Sequence, residues 1–449
     1  MNEKNPSSTE RMLQLDQFLS EQRPLTSENA PSKISLKLKP NNSKLQVNPA
    51  IVVVADVHAG LNFNFRINPD TGIADRALDF HKNLVKATQF AINNQSKLFV
   101  ILGDLFERTH VAPTNREWIR RDIIEPLGDA NIETWLIAGN HDQPKSSARA
   151  TSLQDFRGYP HVNVYTNPTE EYIEIEGKTI GVLIVPYIHP EQILKSMKNT
   201  QSQQTSLEQQ YRIGQVLLQK QLIDKANAMK TDFKMLFAHF YIEGAKLRAT
   251  RYPMALPNEF QFNREMIPNN LDLAIFGHVH LHQVIGKRGS TEIIYPGSIE
   301  RIDWGEKDDK KGFLAISPFT HKKWQFIELP TRDMIHIPIH LPTGIEDPTS
   351  EILSKIPQDP IDKMIRLDIQ VGDGVRQRIQ EIRIEEKLRN AFHYETRITN
   401  LHTDKIAPIS HTMDPFKLFV EFVELNYQKH PKKDKMLQIG RQTIEEALQ

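Results

Sequence analysis

The chain has 449 residues, 56 basic against 56 acidic side chains, and no cysteine, a length that predicts about two to four domains. Balanced charge excludes a whole-molecule basic field, so nucleic acid could be gripped only through local patches. Without cysteine there is no disulfide, thiolate metal site or thiol nucleophile, which leaves His, Asp, Glu and Asn to hold any metal.

Residues 1–48 are polar and rich in Ser, Asn, Pro and Lys, the composition of a disordered extension. The opening MNEKNPSSTERMLQLDQ lacks the apolar core of a signal peptide. No apolar run approaches the ~20 residues that cross a bilayer, so the expectation is a cytoplasmic protein with no membrane association. KISLKLKP alternates Ile34, Leu36 and Leu38 with polar residues and reads as a sticky stretch of the tail. Order begins at IVVV (51–54), a continuous apolar run of the kind buried on both faces of a sheet. Ala77, Phe80, Leu84, Ala87 and Ala91 follow at helical spacing. KLFVIL (97–102) predicts a second buried strand, PTNREWIRRDIIEPL (113–127) a helix stopped near Pro126, and ETWLIA (133–138) a third strand. Strands alternating with helices predict βαβ units and a layered α/β core.

Beyond Phe156 the pattern changes. YIEIEGKTIGVLIV predicts a hairpin turning at Gly177. Gly177-Lys178-Thr179 shares the end of a phosphate-binding loop, but Tyr172 stands where that motif requires glycine, so the chain is not expected to be an ATPase itself. A polar helix spans roughly 206–230, followed by strands in KMLFAH (234–239) and LDLAIFGH (271–278), then short strands to about 330. Residues 331–405 predict a smaller α/β module, with MIRLDIQV a strand and Arg376–Arg389 a helix whose mixed Arg and Glu suit a solvated face. The tail holds FKLFVEFVEL, the basic KHPKKDK, and a helix containing Leu437, Ile444 and Leu448. Its apolar stripes suit packing on the core or docking to another protein.

Metal-competent residues gather at predicted strand ends. In AIFGHVHLHQ (274–283), His278, His280 and His282 would share one side of a strand, which fits a metal site or a polar face of satisfied imidazoles. Four other strand ends decide between these. They carry Asp56 and His58 in ADVHAG, Asp104 in GDLFER, Asn140 in AGNHD, and His239 after KMLFA. Each alone is an ordinary turn, since Asp and Asn favour turns and glycine lets the chain bend sharply. Ligands of open α/β folds bind beyond the carboxyl ends of strands, and here every such end presents a metal ligand. The set Asp56, His58, Asp104, Asn140, His239, His278 and His280 offers hard oxygens and imidazoles, suited to two divalent ions such as Mn²⁺, Fe²⁺ or Zn²⁺. A carboxylate between two such ions can bridge them at roughly 3.5–4 Å.

The order D-x-H, GD, GNHD, H, GHxH resembles that of the calcineurin-like metallophosphoesterases over about residues 50–300. The resemblance implies a four-layer β-sandwich flanked by helices. It places Asp56, His58 and His280 on one metal, Asn140, His239 and His278 on the other, and Asp104 between them. It makes His141 a catalytic residue that contacts the scissile phosphate and supports the leaving group, without being a ligand. His282 has no place in the pattern and is assigned a structural or solvent role.

GDLFERT and GNHD depart from the GDxVDRG and GNHE of protein phosphatases. HFYIEGA (239–245) and YPGSIERIDWGEKDDKKGF (295–313) are similar to the SbcD family of DNA double-strand-break repair nucleases. Apart from that likeness, Gly297 and Gly305 read as turns and Trp304 as a packing residue. The resemblance implies a nuclease domain (49–330), a small α/β capping domain (331–405) and C-terminal helices (406–449) that dock on an SbcC-type, SMC-like ATPase. It implies a homodimer with Mn²⁺-dependent exonuclease and endonuclease action on DNA ends, in repair and recombination, in the cytoplasm at the nucleoid, or in a host cytoplasm for a viral source. Two positions depart from it: Ala59 stands where many relatives have Leu, and Glu107 where bacterial relatives often have Asp. Lys246, Arg248 and Arg251 follow His239 and could neutralise DNA phosphates, or form an ordinary charged loop. Two other functions fit the same residues: a stand-alone phosphodiesterase for nucleotides or small diesters, and a non-cutting DNA-end-binding regulator of an ATPase.

Overall fold

A computed structural model of the chain describes residues 49–61, 74–144, 151–189, 207–248, 261–400 and 433–447, with a few positions between 416 and 424. The expected tail 1–48, Arg251 and half of FKLFVEFVEL lie outside the described residues. The chain divides into two units, residues 1–333 and 334–449.

Among the described residues the first unit holds twelve strands. In chain order these are β1 (Ile51–Val54), β2 (Leu98–Leu102), β3 (Glu133–Ile137), β4 (Val162–Tyr165), β5 (Thr169–Ile175) and β6 (Lys178–Val185). They continue with β7 (Phe233–His239), β8 (Leu273–Gly277), β9 (Gln283–Arg288), β10 (Thr291–Tyr295), β11 (Lys311–Ile316) and β12 (Trp324–Leu329). One sheet runs β12-β11-β1-β2-β3-β4 and the other β5-β6-β7-β8-β10-β9. β1 to β4 are parallel neighbours, as are β6, β7, β8 and β10.

The apolar runs of these strands follow from burial on both faces. Ile51 and Val53 of β1 pack with Met235 and Phe237 of β7 in the core between the sheets. Val52 and Val54 face the other way, onto Phe80 and Leu84 of the helix Asp75–Asn93. Leu236 and Ala238 of β7 pack on Leu218 and Leu222 of the helix Leu207–Ala228. Helix, sheet, sheet, helix is the expected four-layer sandwich.

The predicted hairpin turns at Glu176 and Gly177, both at positive φ, the twist a two-residue hairpin loop needs. The helix expected to stop near Pro126 runs on to Asp129. Pro113–Ile119 is α-helical, Arg120–Ile124 forms a π turn, and Glu125–Asp129 resumes the α form. Proline lacks an N–H and crowds the carbonyl four residues back. The wider turn lets Pro126 enter as the start of a new α turn, where no donor is needed.

In the second unit, β13 (Met334–Leu341), β14 (Met364–Val371) and β15 (His393–Asn400) form a parallel sheet. The helices Pro348–Lys355 and Glu381–Leu388 connect them. The helix expected over 376–389 is shorter: a 3₁₀ turn at Arg376–Arg378 precedes Glu381–Leu388, whose Ile384 and Leu388 are buried in the unit's core. The helix Lys433–Ala447 also belongs to this unit.

Candidate metal centre

The carboxyl ends of β1, β2 and β3 meet those of β7 and β8. His239, the last residue of β7, donates from Nδ1 to the Leu102 carbonyl at the end of β2, 3.0 Å away, so the two sheets are tied at this point. The turn after β1 runs beside the turn after β2: Asp56 N donates to Gly103 O (3.2 Å), His58 N to Asp104 O (2.8 Å) and Ala59 N to Leu105 O (2.9 Å). Asp142 joins the turn after β3 to them. Its carboxylate accepts from the backbone N–H groups of Gly139, Leu105 and Phe106 at 3.0, 3.2 and 3.1 Å. Burial, with the charge of Asp104, pushes the Asp142 carboxyl up to about 6.

The backbone is strained where it presents these groups. Asp56, His58 and Asp104 have φ of 50°, 50° and 52°, and His278 has 90°. Non-glycine residues are held there at a cost of roughly 1–3 kcal/mol each, and such strain clusters at functional sites. The neighbouring glycines serve two ends. Gly103 has φ +83° and makes the sharp turn expected of it. Gly139 and Gly277 give room instead: a Cβ on Gly139 would lie 2.1 Å from Asp104 Oδ1, and one on Gly277 2.2 Å from Leu102 O and 2.6 Å from His239 Nδ1.

The predicted ligands are brought together. Asp56, His58 and His280 form one group able to hold a metal ion, and Asp104, His239 and His278 another. Asp104 Oδ2 stands between them, 3.3 Å from His239 Nε2 and 3.9 Å from His58 Nε2. Asn140 Oδ1 lies 3.2 Å from His239 Nε2 and 2.9 Å from His278 Nδ1. A third group, His58, Asp104 and His141, has similar spacing. His278, His280 and His282 do not share a strand face, because β8 ends at Gly277 and the histidines occupy the turn beyond it. His282 stacks on Phe326 at 3.9 Å and donates to the Tyr295 carbonyl, a structural role as expected.

Hydrogen-bond chemistry tests whether cations fit here. A carbonyl or ionised carboxylate only accepts, so each ring nitrogen bonded to one carries a proton. His58 donates from Nδ1 to Glu107 (2.8 Å), His280 from Nδ1 to Glu306 (3.0 Å), and His239 from Nδ1 to Leu102 O (3.0 Å). Their Nε2 lone pairs then point inward. Those of His58 and His280 are 3.2 Å apart. Bare acceptors at such distances repel unless a proton or a metal ion lies among them, and a ring N–H given to a carboxylate or carbonyl is the usual outer shell of a metal-binding histidine. Burial lowers the affinity of His58 for a proton, but the Glu107 bond and the charges of Asp104, Glu107 and Asp56 outweigh it and raise its pKa to about 9. His239 likewise reaches about 9 against its burial, through Asp104 and Asp56. A site that draws protons this strongly draws positive charge, and its donors fit two divalent ions.

His141 stands at the rim with about a third of its side chain exposed. Its N–H donates to Asp104 Oδ1 (2.8 Å) and its Nδ1 to the Glu107 carbonyl (2.7 Å). Of the predicted DNA contacts, Arg248 is paired with Asp309, Nε to Oδ1 at 2.8 Å, and Lys246 is exposed. Glu107, Asp142, Glu306 and Lys311 all shape the site without having been singled out for it from sequence. Glu107 stood out only as a departure, and the last two lie in a stretch too rich in charge to show which charges turn inward.

The calcineurin-like phosphoesterase family matches residues 49–282, just over half of the chain. The DNA double-strand break repair protein Mre11 of Archaeoglobus fulgidus is 24% identical over 332 residues, covering 69% of this chain. The chain spans 66% of that protein's length. Among solved structures, a dimetal phosphatase from Danio rerio is 12% identical, covering 59% of this chain and 92% of its own, with a TM-score of 0.33. A 5'-nucleotidase from Candida albicans is 11% identical, covering 62% and 51%, with a TM-score of 0.30.

Gly277→Ala is expected to cost about 1–3 kcal/mol through overpacking, read as a lowered melting temperature. Glu107→Ala is expected to weaken Mn²⁺ binding about 10–100-fold by releasing the His58 ring, measured by calorimetric titration; unchanged affinity would show that Glu107 does not orient His58.

Proposed function

Because the chain belongs to the calcineurin-like phosphoesterases, with residues 49–282 forming the matched domain, we propose that it is a metal-dependent DNA nuclease of the SbcD type. It hydrolyses phosphodiester bonds at duplex ends, as exonuclease and endonuclease, in DNA repair. The observation that carries this reading is the match to a DNA double-strand break repair protein over 69% of the chain, which reaches past the phosphoesterase domain.

In this reading Asp56, His58 and His280 would hold one Mn²⁺, Asn140, His239 and His278 the other, and Asp104 would serve both. Two such cations supply Lewis-acid polarisation of a phosphoryl oxygen and activation of water. The chain's own groups do the rest. Asp142 and the paired turns keep the ligands in register. His141, its Nδ1 committed to the Glu107 carbonyl, keeps Nε2 available at the rim to contact the scissile phosphate and support the leaving group. Lys246, with Arg251 beyond it, contributes to neutralising DNA phosphates. Residues 331–405 cap the nuclease domain, and 406–449 dock on an SMC-like ATPase that supplies ATP hydrolysis. The protein works as a homodimer at the nucleoid.

Incubation of the purified chain with Mn²⁺, linear duplex DNA and a small phosphodiester tests this. DNA should be degraded, and Asp104→Ala should abolish that activity. His141→Ala should keep its Mn²⁺ while losing about 10²–10⁴-fold in turnover, the range for a positioned acid or base; an emptied site would make His141 a ligand. Hydrolysis of the small diester with DNA left intact, in the presence of the ATPase partner, would favour a stand-alone phosphodiesterase. Deleting residues 412–449 should spare basal activity and remove affinity for the partner.

A further inference from the structure

The stretch 295–313 buries more polar groups than turns and packing require. Lys311 opens β11 with its side chain fully buried. Its ammonium reaches the His280 carbonyl (2.9 Å), Ser298 Oγ (3.0 Å) and Glu306 Oε2 (2.8 Å). An ammonium has three hydrogens, so these acceptors use them all. Glu306 Oε2 also accepts from Ile302 N at 2.9 Å, while Oε1 accepts from His280 Nδ1 at 3.0 Å. One ammonium therefore holds His280 at two points, its backbone directly and its ring through Glu306.

We propose that Lys311 is the positioning residue for His280, setting where the His280 Nε2 stands against that of His58 and hence how tightly the Asp56–His58–His280 position holds its ion. The inference rests on the two-metal reading above. A buried ion pair is weak evidence of stabilisation, since apolar replacements are often as stable or more so. A role in position explains why all three hydrogens end on the ligand, its carboxylate and the turn beside it. The same cluster moors the loop after His239: Asp309 lies with Oδ2 3.8 Å from Lys311 Nζ and with Oδ1 on Arg248.

Mn²⁺ titration of the full chain, followed by calorimetry and electron paramagnetic resonance, tests the proposal on wild type, Lys311→Met and Ser298→Ala. Wild type should take up two ions with a spin-coupled signal. Lys311→Met should bind one ion as before and the other about 10–100-fold more weakly, the range for outer-shell changes. It should lack the coupled signal at ion concentrations that saturate the wild type. Ser298→Ala should shift the same position in the same direction by less. A Lys311→Met protein that melts lower yet keeps both affinities and the coupled signal overturns the proposal, as does equal weakening of both positions. If Lys311→Met does not fold, Ser298→Ala decides, and unchanged binding there overturns it. A wild type that takes up no ion pair refutes the two-metal reading itself, an outcome distinct from failure confined to the variants.

Discussion

Acceptor atoms turned toward one another in a largely buried cluster are the constraint on which this molecule is organised. The Nε2 atoms of His58 and His280, and the His239 Nε2 with Asn140 Oδ1, each stand 3.2 Å apart, with the buried carboxylates of Asp56 and Asp104 beside them. Such a cluster has no favourable arrangement without positive charge. Two sheets must deliver it, because no single strand end supplies enough donors. The sandwich brings five strand ends to one place, and the strained φ values of Asp56, His58, Asp104 and His278 are what over-determined packing around those ends can sustain.

The outer shell decides which atoms face inward. Each of three rings has its far nitrogen occupied, by Glu107, Glu306 or the Leu102 carbonyl. The two glutamates differ. Glu306 is enclosed and shares Lys311, whereas Glu107 is partly exposed and touches both His58 and, through its carbonyl, His141. One histidine of the pair is thus backed by an enclosed carboxylate paired with an ammonium, and the other by a partly exposed one.

Strands and donors were legible in the sequence for the same reason. IVVV, KLFVIL and KMLFAH are uniformly apolar because both faces are covered, and each breaks into Asp or His where the sheet ends. The hairpin at Gly177 was legible because its turn needs positive φ. The helix through Pro126 was not, since the π turn that admits the proline has no composition of its own. The histidines of GHVHLH alternate as a strand would, yet the strand stops before them; periodicity cannot see where the ladder's hydrogen bonds end. Asp142, Glu306 and Lys311 were beyond reach because each also depends on a partner well away in the chain: Leu105 and Phe106 for Asp142, His280 for the other two. Arg248, read as a DNA-phosphate contact or part of a charged loop, is exposed and also bonded to Asp309; that bond depends on a partner 61 residues away.

β1 pairs on one side with β2 and on the other, antiparallel, with β11, Ile51 opposite Ile316. During synthesis every residue of the predicted ligand set leaves the ribosome before β11 does. β11, which joins β1 to the edge strand β12, begins with Lys311, the residue bonded to the carbonyl of the last ligand, His280. A nascent chain therefore carries all its donors for a time without the frame that orients them. Assembly of the centre therefore waits on β11, residues 311–316 of a 449-residue chain.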